Sequence, residues 1–516
     1  MSIRRDNGGT RVAVIGGGPG GAFTARLLQL ANPGWQITLY DLLPPLETFG
    51  FGVGLSFSTR HSLQQSDPET FDEIFKVSLR GHGARLYSDR GSVDLPGADR
   101  SAIARADLLQ VLYRQAEKAG VRTETGGRVD AFDVDADIVV AADGVGSTTR
   151  TEHAGQFGAS ERIGRERFIW LGADRALPDA LFASVHTEFG TFTAHAYPYR
   201  ADRSTFLVET DESTWVAAGF EFTSEGLAPG QSDEIARTFL QSIFAPYLDG
   251  TRLLGNNSRW TRFRTVHCER WHHGNVVLVG DAAHTAHYSI GSGTKLAMED
   301  SIALAAALTR HEDTATAFAE YQSMRAPAVA RLQNVAYRSQ LWWERFPSRL
   351  SMSPEQLLAS FLTRAGNVSL SDFRNHAPGA ATKALREYGT EVPPETGLDD
   401  WVLAQPLQHD GRQFTHRLAS RSGAALSRVE VDIEDPHGAE ADTFLARCAD
   451  VARQDRTDGV ELDGGMLRPQ ILQRLDLAER LRDEFGVLTS VRGPADHCGD
   501  LIAGLISGRT DLISLD

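Results

Sequence analysis

Two kinds of residue in this chain are spaced for chemistry. The first are glycines at the ends of short apolar runs. They are Gly16, Gly18, Gly20 and Gly21 around Pro19, then Asp143-Gly144, then Gly280-Asp281 and the loop Gly291, Gly293, Thr294, Lys295. Glycine leaves backbone N–H groups bare, and bare N–H groups at a helix start bind phosphate. The second kind are imidazoles and phenols: His195, Tyr197, Tyr199, His287 and Tyr288. A His can hold or pass a proton near neutral pH, and a Tyr hydroxyl can orient one. For each of these five, a satisfied structural or surface role is the alternative. There is no His-Glu-x-x-His and no Cys/His cluster, so no metal is expected.

The elements that must position these residues can be read around them. Arg11-Val12-Ala13-Val14-Ile15 is a buried-strand run that enters G-x-G-x-x-G at Gly16, Gly18 and Gly21. Ala22 to Leu30 then has helical composition. Gly16 permits the tight turn, Gly18 lets backbone approach a pyrophosphate, and Gly21 lets the helix pack on the sheet. Gln36 to Tyr40 reads as a second strand ending at Asp41, where an acid should hold ribose hydroxyls. Asp137 to Ala142 is another strand, ending in the pattern D-G-x-x-S-x-x-R at Asp143, Gly144, Ser147 and Arg150. Asn275 to Val279 is a third, running into Gly280-Asp281-Ala282-Ala283-His284. After the glycine loop a helix follows, with Met298, Ile302, Leu304 and Leu308 at helical spacing.

These three fragments, in this order and with Asp41, resemble the single-component FAD-dependent aromatic hydroxylases of the para-hydroxybenzoate hydroxylase type. A narrower likeness runs through Thr48 to Gly54, His195-Ala196-Tyr197-Pro198-Tyr199, Trp271 to Asn275, Gly280 to Asp300 and Arg331-Leu332-Gln333. These segments resemble the salicylyl-CoA 5-hydroxylase and anthraniloyl-CoA monooxygenase branch, near which natural-product hydroxylases such as the piericidin pyridinol hydroxylase fall. The resemblance covers roughly residues 10 to 378. It implies FAD as cofactor, NADH or NADPH as reductant, and O2 and a small aromatic compound as substrates. It also implies that Gly52 and Arg105 belong to the flavin site and that Asp281 takes hydrogen bonds from the ribityl chain. The Gly291 and Gly293 amides would face the flavin pyrimidine edge, where a helix N-terminus stabilises the reduced flavin anion. One departure stands out: the broader family carries a proline and an asparagine where this chain has Tyr288 and Lys295.

The ring attacked in such a reaction must carry a hydroxyl or amino group, and a side chain should hydrogen-bond or deprotonate it. His195, His287 and Tyr288 are the catalytic candidates, with Tyr197 and Tyr199 as substrate-binding ones. The leading expectation is hydroxylation of a free phenol or pyridinol in natural-product biosynthesis. The alternative is an aryl-CoA thioester such as salicylyl-CoA or anthraniloyl-CoA. A flavin-dependent halogenase would carry Trp-x-Trp-x-Ile, which is absent. A flavin sensor would show no substrate-stimulated NAD(P)H oxidation.

The fold expected is α/β. A Rossmann-like FAD-binding domain of the glutathione-reductase type occupies 1–165, with 77–100 open between it and the substrate sheet. An antiparallel substrate domain covers 166–264, with strand-like runs at Phe168-Ile169-Trp170, Thr191 to His195, Thr205 to Glu209 and Trp215 to Phe220. The last FAD-binding part and a helical segment cover 265–378, where Trp342, Trp343 and Phe346 read as core. Pro378-Gly379 and Pro393-Pro394 mark a linker to a small α/β domain at 379–516. There, Asp458 to Gly465 and Leu481 to Leu515 resemble the old-yellow-enzyme barrel. The segment is too short to close eight strands, which take about 250 residues. Asp463 and Met466 also replace the two His of that family. A truncated TIM-barrel remnant with no flavin chemistry of its own is expected, packing or making an oligomer contact.

The chain has 516 residues, 41% of them hydrophobic and 23% charged, with a formal net charge of −16. That charge argues against nucleic acid and anionic membrane as partners, and mildly against a highly anionic substrate. Three cysteines without paired or metal spacing, and no apolar leader or spanning run, fit a cytoplasmic protein. A homo-oligomer is the expected state.

Overall fold

A computed structural model describes residues 9–44, 49–97, 100–224, 226–228, 230–366, 368–389, 396–433 and 435–516. Thr48 and the Pro393-Pro394 linker signal lie outside the described residues. The chain forms two compact units, one of residues 1–85 and 97–340, the other of 86–96 and 341–516.

The first unit begins with β1 (Arg11–Ile15), α1 (Pro19–Ala31), β2 (Gln36–Asp41) and β3 (Gly52–Gly54). It continues with β4 (Ser101–Ala104), α2 (Arg105–Ala119), β5 (Arg122–Thr125) and β6 (Ile138–Ala141). The long strands β7 (Ala159–Ala173), β8 (Ala180–Thr187), β9 (Gly190–Arg200), β10 (Arg203–Thr210) and β11 (Thr261–Cys268) follow. Last come β12 (Val276–Leu278) and α3 (Gly293–Arg310).

Five of these strands form a parallel sheet in the order β12-β6-β1-β2-β5. Val14 sits between Leu39 and Val140, and Leu278 lies beside Ala141. All five side chains are fully buried, which is why these runs read as continuous apolar strands. The sequence order is far from the spatial order, so residues 15, 141 and 278 end side by side. This pairing brings the three glycine fragments to one edge. Helices α1 and α3 are tied together by Thr24 and Ser301, whose hydroxyls are 2.8 Å apart.

The second sheet is antiparallel. β7 pairs with β10, β10 with β9, β9 with β8, and β11 lies along the first part of β7. Trp215 to Phe220, expected as a strand, is helical instead, within Glu212–Ala217 and Phe220–Ser224. The reason is local. Asp211 caps the first helix by accepting from Thr214 N–H at 2.8 Å, and Glu212 complements its dipole.

In the second unit Trp342, Trp343 and Phe346 are buried together, with Trp343 and Phe346 ring centres 4.8 Å apart. The unit's centre is β13 (Leu426–Glu430), α4 (Ala439–Asp455), β14 (Gly459–Asp463), α5 (Arg468–Phe485), β15 (Leu488–Gly493), α6 (Cys498–Ile506) and β16 (Leu512–Leu515). The four strands are parallel and adjacent in chain order. One face packs Val460, Leu462, Val491 and Ile513 into the helices. The other carries Leu488 and Leu512 under Phe414 of the hairpin Leu407–His409/Arg412–Phe414. Beyond them it carries Arg428, Glu461, Asp463, Arg492 and Ser514. No helix among the described residues is long and apolar enough to cross a membrane.

Candidate active site

The glycine bed is built in the way its residue types require. Gly16 has φ +98°, and a Cβ there would lie 2.3 Å from the Ala142 carbonyl oxygen. A Cβ on Gly21 would strike the Gly16 carbonyl oxygen at 1.9 Å. These two glycines are demanded by the protein itself. Gly144 and Gly291 are demanded by their left-handed backbone, with φ +79° and +62°, whereas at Gly18 and Gly293 neither φ nor a neighbouring atom within 4 Å of a Cβ requires glycine, and the space beside them is open.

The helix ends agree. α1 starts from Gly18 and α3 from Ser292, each with no side-chain cap and no acid in its first turn. Their leading N–H groups are thus offered to an anion or a polar ring edge. Ser292 Oγ is buried and without a protein partner, as is Asp143 Oδ1. Asp41 accepts from Gly17 N–H and from Tyr113 O–H, both at 2.9 Å. Pro19 and Gly20 form the first turn of α1, and Thr294 and Lys295 that of α3, where Lys295 Nζ lies 3.7 Å from Glu299. This donor set fits a dinucleotide with two phosphates and a polar ring edge, as FAD has.

Arg105 links the fragments electrostatically. Burial lowers its pKa, while Asp281 and Asp41 both oppose that shift, so all three share one neighbourhood. Its position comes from β3 pairing with β4, Gly52 opposite Ala104, and from Arg105 N–H bonding the Phe51 carbonyl at 2.8 Å. Burial raises the Asp281 carboxyl, with His284 and Arg105 pulling the other way.

Two braces hold the bed. Arg150, fully buried, donates to the carbonyls of Ala282 (3.0 Å) and Val145 (2.6 Å) and to Glu161 (3.0 Å). The second fragment is thereby locked to the third, which explains the final Arg of its pattern. Asp300 is the other brace. It bonds His284 Nε2 at 2.7 Å, Arg325 Nε at 2.7 Å and Gly280 N–H at 3.1 Å. Burial would raise its carboxyl, but His284 and Arg325 outweigh that and hold it below the usual range. His284 is therefore a support for the loop.

Beside the bed, the antiparallel sheet presents an aromatic cluster. His195 on β9 and Glu209 on β10 are both buried, with Nε2 and Oε1 2.9 Å apart. The other Glu209 oxygen accepts from Tyr288 O–H. The Tyr288 ring lies against His287, centroids 4.1 Å apart and tilted by 34°, and is 4.9 Å from Phe168 and 5.9 Å from Phe263. Phe182 meets the His195 ring edge-on at 5.4 Å. Phe168, Phe182, Phe263 and Tyr288 are only half-buried. Half-exposed aromatic walls around one buried charge are the ordinary make-up of a small-molecule site. The site also lies only a few residues before Gly291. His287, buried, uses Nδ1 toward Ser289 Oγ at 2.9 Å.

Tyr197 and Tyr199 sit elsewhere on the same strand. Tyr197 O–H donates to the Gly52 carbonyl at 2.7 Å, and Gly52 N–H donates to Thr205 at 2.9 Å. A Cβ on Gly52 would press into Tyr199 at 2.3 Å. Both tyrosines clamp β3 against the sheet. Glu209, Asp300 and Arg325 carried no role in the sequence reading. Glu209 was visible only as the end of a strand run.

The geometry fits a dinucleotide-binding protein with a half-buried aromatic cluster a few residues before the loop at Gly291 and Gly293. Comparison narrows this. A family model described as an FAD binding domain matches residues 99–336. A salicyloyl-CoA 5-hydroxylase of Streptomyces sp is 38% identical over 98% of this chain and 99% of its own length. A 3-hydroxy-4-methyl-anthranilyl-[aryl-carrier protein] 5-monooxygenase of Streptosporangium sibiricum is 40% identical over 72% of this chain and 98% of its own. The crystal structure of a 2-methyl-3-hydroxypyridine-5-carboxylic acid oxygenase mutant superposes with TM-score 0.52 at 19% identity, covering 69% of this chain and 96% of that one. The chain belongs to the family of FAD-dependent aromatic monooxygenases.

Proposed function

We propose that this monooxygenase uses NADH or NADPH and O2 to hydroxylate an aromatic ring activated by a hydroxyl or amino group. The observation that carries the reading is the half-buried aromatic cluster around Glu209, His195 and Tyr288, next to an open glycine loop at a helix N-terminus. Bound FAD supplies the electrons and activates the oxygen. The protein binds, orients and keeps water out. We assign the phosphates to Gly16, Gly18, Pro19, Gly20 and Gly21, the ribose to Asp41, and the ribityl chain to Asp281. Gly52, Arg105, Asp143 and Gly144 complete the bed, and Gly280, Gly291, Gly293, Thr294 and Lys295 face the ring. We assign His195, His287 and Tyr288 to the substrate hydroxyl, on their clustering around buried Glu209. Tyr197 and Tyr199 brace β3 against the strand that carries His195.

The geometry speaks to the ring and the relatives speak to its carrier. The salicyloyl-CoA and anthranilyl-carrier-protein relatives above are both named for thioester-bound rings, one on CoA and one on a carrier protein. That favours a thioester over the free phenol or pyridinol expected from the sequence. Natural-product biosynthesis, a cytoplasmic location and a homo-oligomer remain parts of the same proposal. The second unit reads as a truncated TIM-barrel remnant of old-yellow-enzyme type, since four adjacent parallel strands with intervening helices are half of such a barrel.

The experiment is NAD(P)H oxidation by the FAD-loaded protein against phenols, pyridinols, aryl-CoA and aryl-carrier-protein thioesters, with product mass recorded. Oxidation stimulated by a thioester, with a product one oxygen atom heavier, is expected. Stimulation by free rings alone returns the carrier to the sequence expectation. No product from any ring contradicts the proposal.

A further inference from the structure

Arg331 is a cation that the fold leaves unused. It belongs to the segment Arg331-Leu332-Gln333, in which Gln333 has a structural task. The Gln333 amide donates to the carbonyls of Val266 at 2.8 Å and Thr285 at 2.9 Å. Arg331 is exposed and pairs with no acid among the described residues. It lines a cavity of about 250 Å³ between α3 and the helix Thr314–Glu344, together with Lys295, Glu299, Ala328, Leu332 and Val335. Lys295 and Glu299 face each other across 3.7 Å, and Glu299 is also held by Arg325 at 3.1 Å. The cavity's acid is thus already matched, and the charge of Arg331 is left over. In a chain of formal net charge −16 that surplus is a local feature.

One helix face joins this cavity to the aromatic cluster. Ala328, Arg331, Leu332 and Val335 recur every three or four residues, and Ser339 is next in that row. Ser339 Oγ lies 2.8 Å from Ser289 Oγ, which lies 2.9 Å from His287 Nδ1. At roughly 1.5 Å of rise per residue, Arg331 stands about 12 Å along the helix from Ser339. The cavity is smaller than the roughly 300–1,000 Å³ that encloses a whole ligand, so it suits one end of a longer molecule.

We propose that the cavity binds the phosphate of a pantetheine arm, with Arg331 as its main ligand and Lys295 beside it. The inference rests on the thioester reading above and names where the far end of that thioester is held. With the ring among Phe168, Phe263 and Tyr288, the arm runs along the row from Ser339 to Arg331. About thirteen bonds separate the thioester sulfur from the first phosphorus, roughly 15 Å when extended, which spans that distance. Arg331 offers a planar fork of N–H donors to two phosphate oxygens, and Lys295 adds a point charge at the uncapped start of α3. The backbone of that turn remains assigned to FAD, and only the Lys295 side chain, which runs toward Glu299, reaches the cavity. CoA and a carrier protein both present this phosphate.

The test measures binding to the FAD-loaded wild type, Arg331→Glu and Arg331→Lys through the flavin absorbance at low ionic strength. The probes are salicyloyl-pantetheine, which has no phosphate, salicyloyl-phosphopantetheine, salicyloyl-CoA and a salicyloyl-carrier protein. The wild type is expected to bind the phosphopantetheine form about tenfold more tightly than the pantetheine form. Arg331→Glu should erase that preference by weakening the phosphate-bearing ligands, and Arg331→Lys should keep most of it. Added salt should narrow it. FAD content and melting temperature control for folding. A loss confined to the CoA thioester makes CoA the source of the phosphate, and one confined to the carrier-protein thioester makes it the carrier protein; either supports the proposal. A wild type without the preference, or an Arg331→Glu protein that keeps it, overturns the proposal and leaves thioester hydroxylation standing. Thioesters that neither bind nor react, beside free rings that do, overturn the thioester reading and this proposal with it.

Discussion

The molecule contains two parallel sheets flanked by helices, and their strand ends and helix starts are built differently. In the first unit the strands β1, β6 and β12 end in glycines, and α1 and α3 begin without caps. In the second unit the strand ends are filled by the protein itself. Arg492 binds Glu461 at 2.9 Å and Asp516 at 2.5 Å, and Arg428 pairs with Asp463. The helix starts differ in charge: α4 carries Glu440 and Asp442 in its first turn and α6 carries Asp500, whereas α1 and α3 carry no acid there. Phe414 then covers the lower part of the inner face. A parallel sheet becomes a nucleotide site when its strand ends and helix starts are left short of partners. The second sheet pairs most of the charges at its strand ends within the protein.

That contrast can be broken or sharpened by substitution. The largest effect is expected from Asp300→Ala, which strands Arg325 and His284 without their buried anion. The cost should be about 3–5 kcal/mol of stability, read by urea unfolding, with loss of bound FAD. The Asp300 carboxyl is held low, so its contribution is present above the usual carboxylate range and lost as pH falls through its folded value. The variant should accordingly show a flatter acid limb in the same titration. Phe414→Ala comes next. It empties a buried site in the second unit and should cost about 3 kcal/mol there, yet leave FAD binding at the wild-type level. Loss of flavin with Phe414→Ala would blur the distinction between the sheets. Gly18→Val is the sharpest of the three. Its Cβ meets no protein atom within 4 Å, so the apoprotein should keep its circular dichroism and melting point. FAD affinity should fall by about a hundredfold, roughly 2.7 kcal/mol, measured by equilibrium titration.

Much of the first sheet was legible from sequence because its strands are buried on both faces and announce themselves as apolar β-branched runs. Arg11 to Ile15 is a strand end to end, and the runs before Gly144 and Gly280 form strands within a residue or two. Trp215 to Phe220 misled because β propensity was weighed without the Asp211 cap that precedes it. The site was legible where chemistry is carried by glycine, whose absent side chain marks a close approach. It was illegible where a role depends on register. Glu209 meets His195 fourteen residues away across one strand pair, and Tyr288 seventy-nine residues away. Neither separation has a sequence signature. Tyr197 and Tyr199 show the converse: the sequence offered them as substrate-binding candidates, but only the fold shows that they grip Gly52.

The central claim is that three scattered fragments build one flavin site and that the second parallel sheet builds none. The most direct test is to denature the purified holoprotein and identify and count the released flavin per chain. One FAD per polypeptide and no FMN is the expected result. Two flavins per chain, or any stoichiometric FMN, would contradict the account.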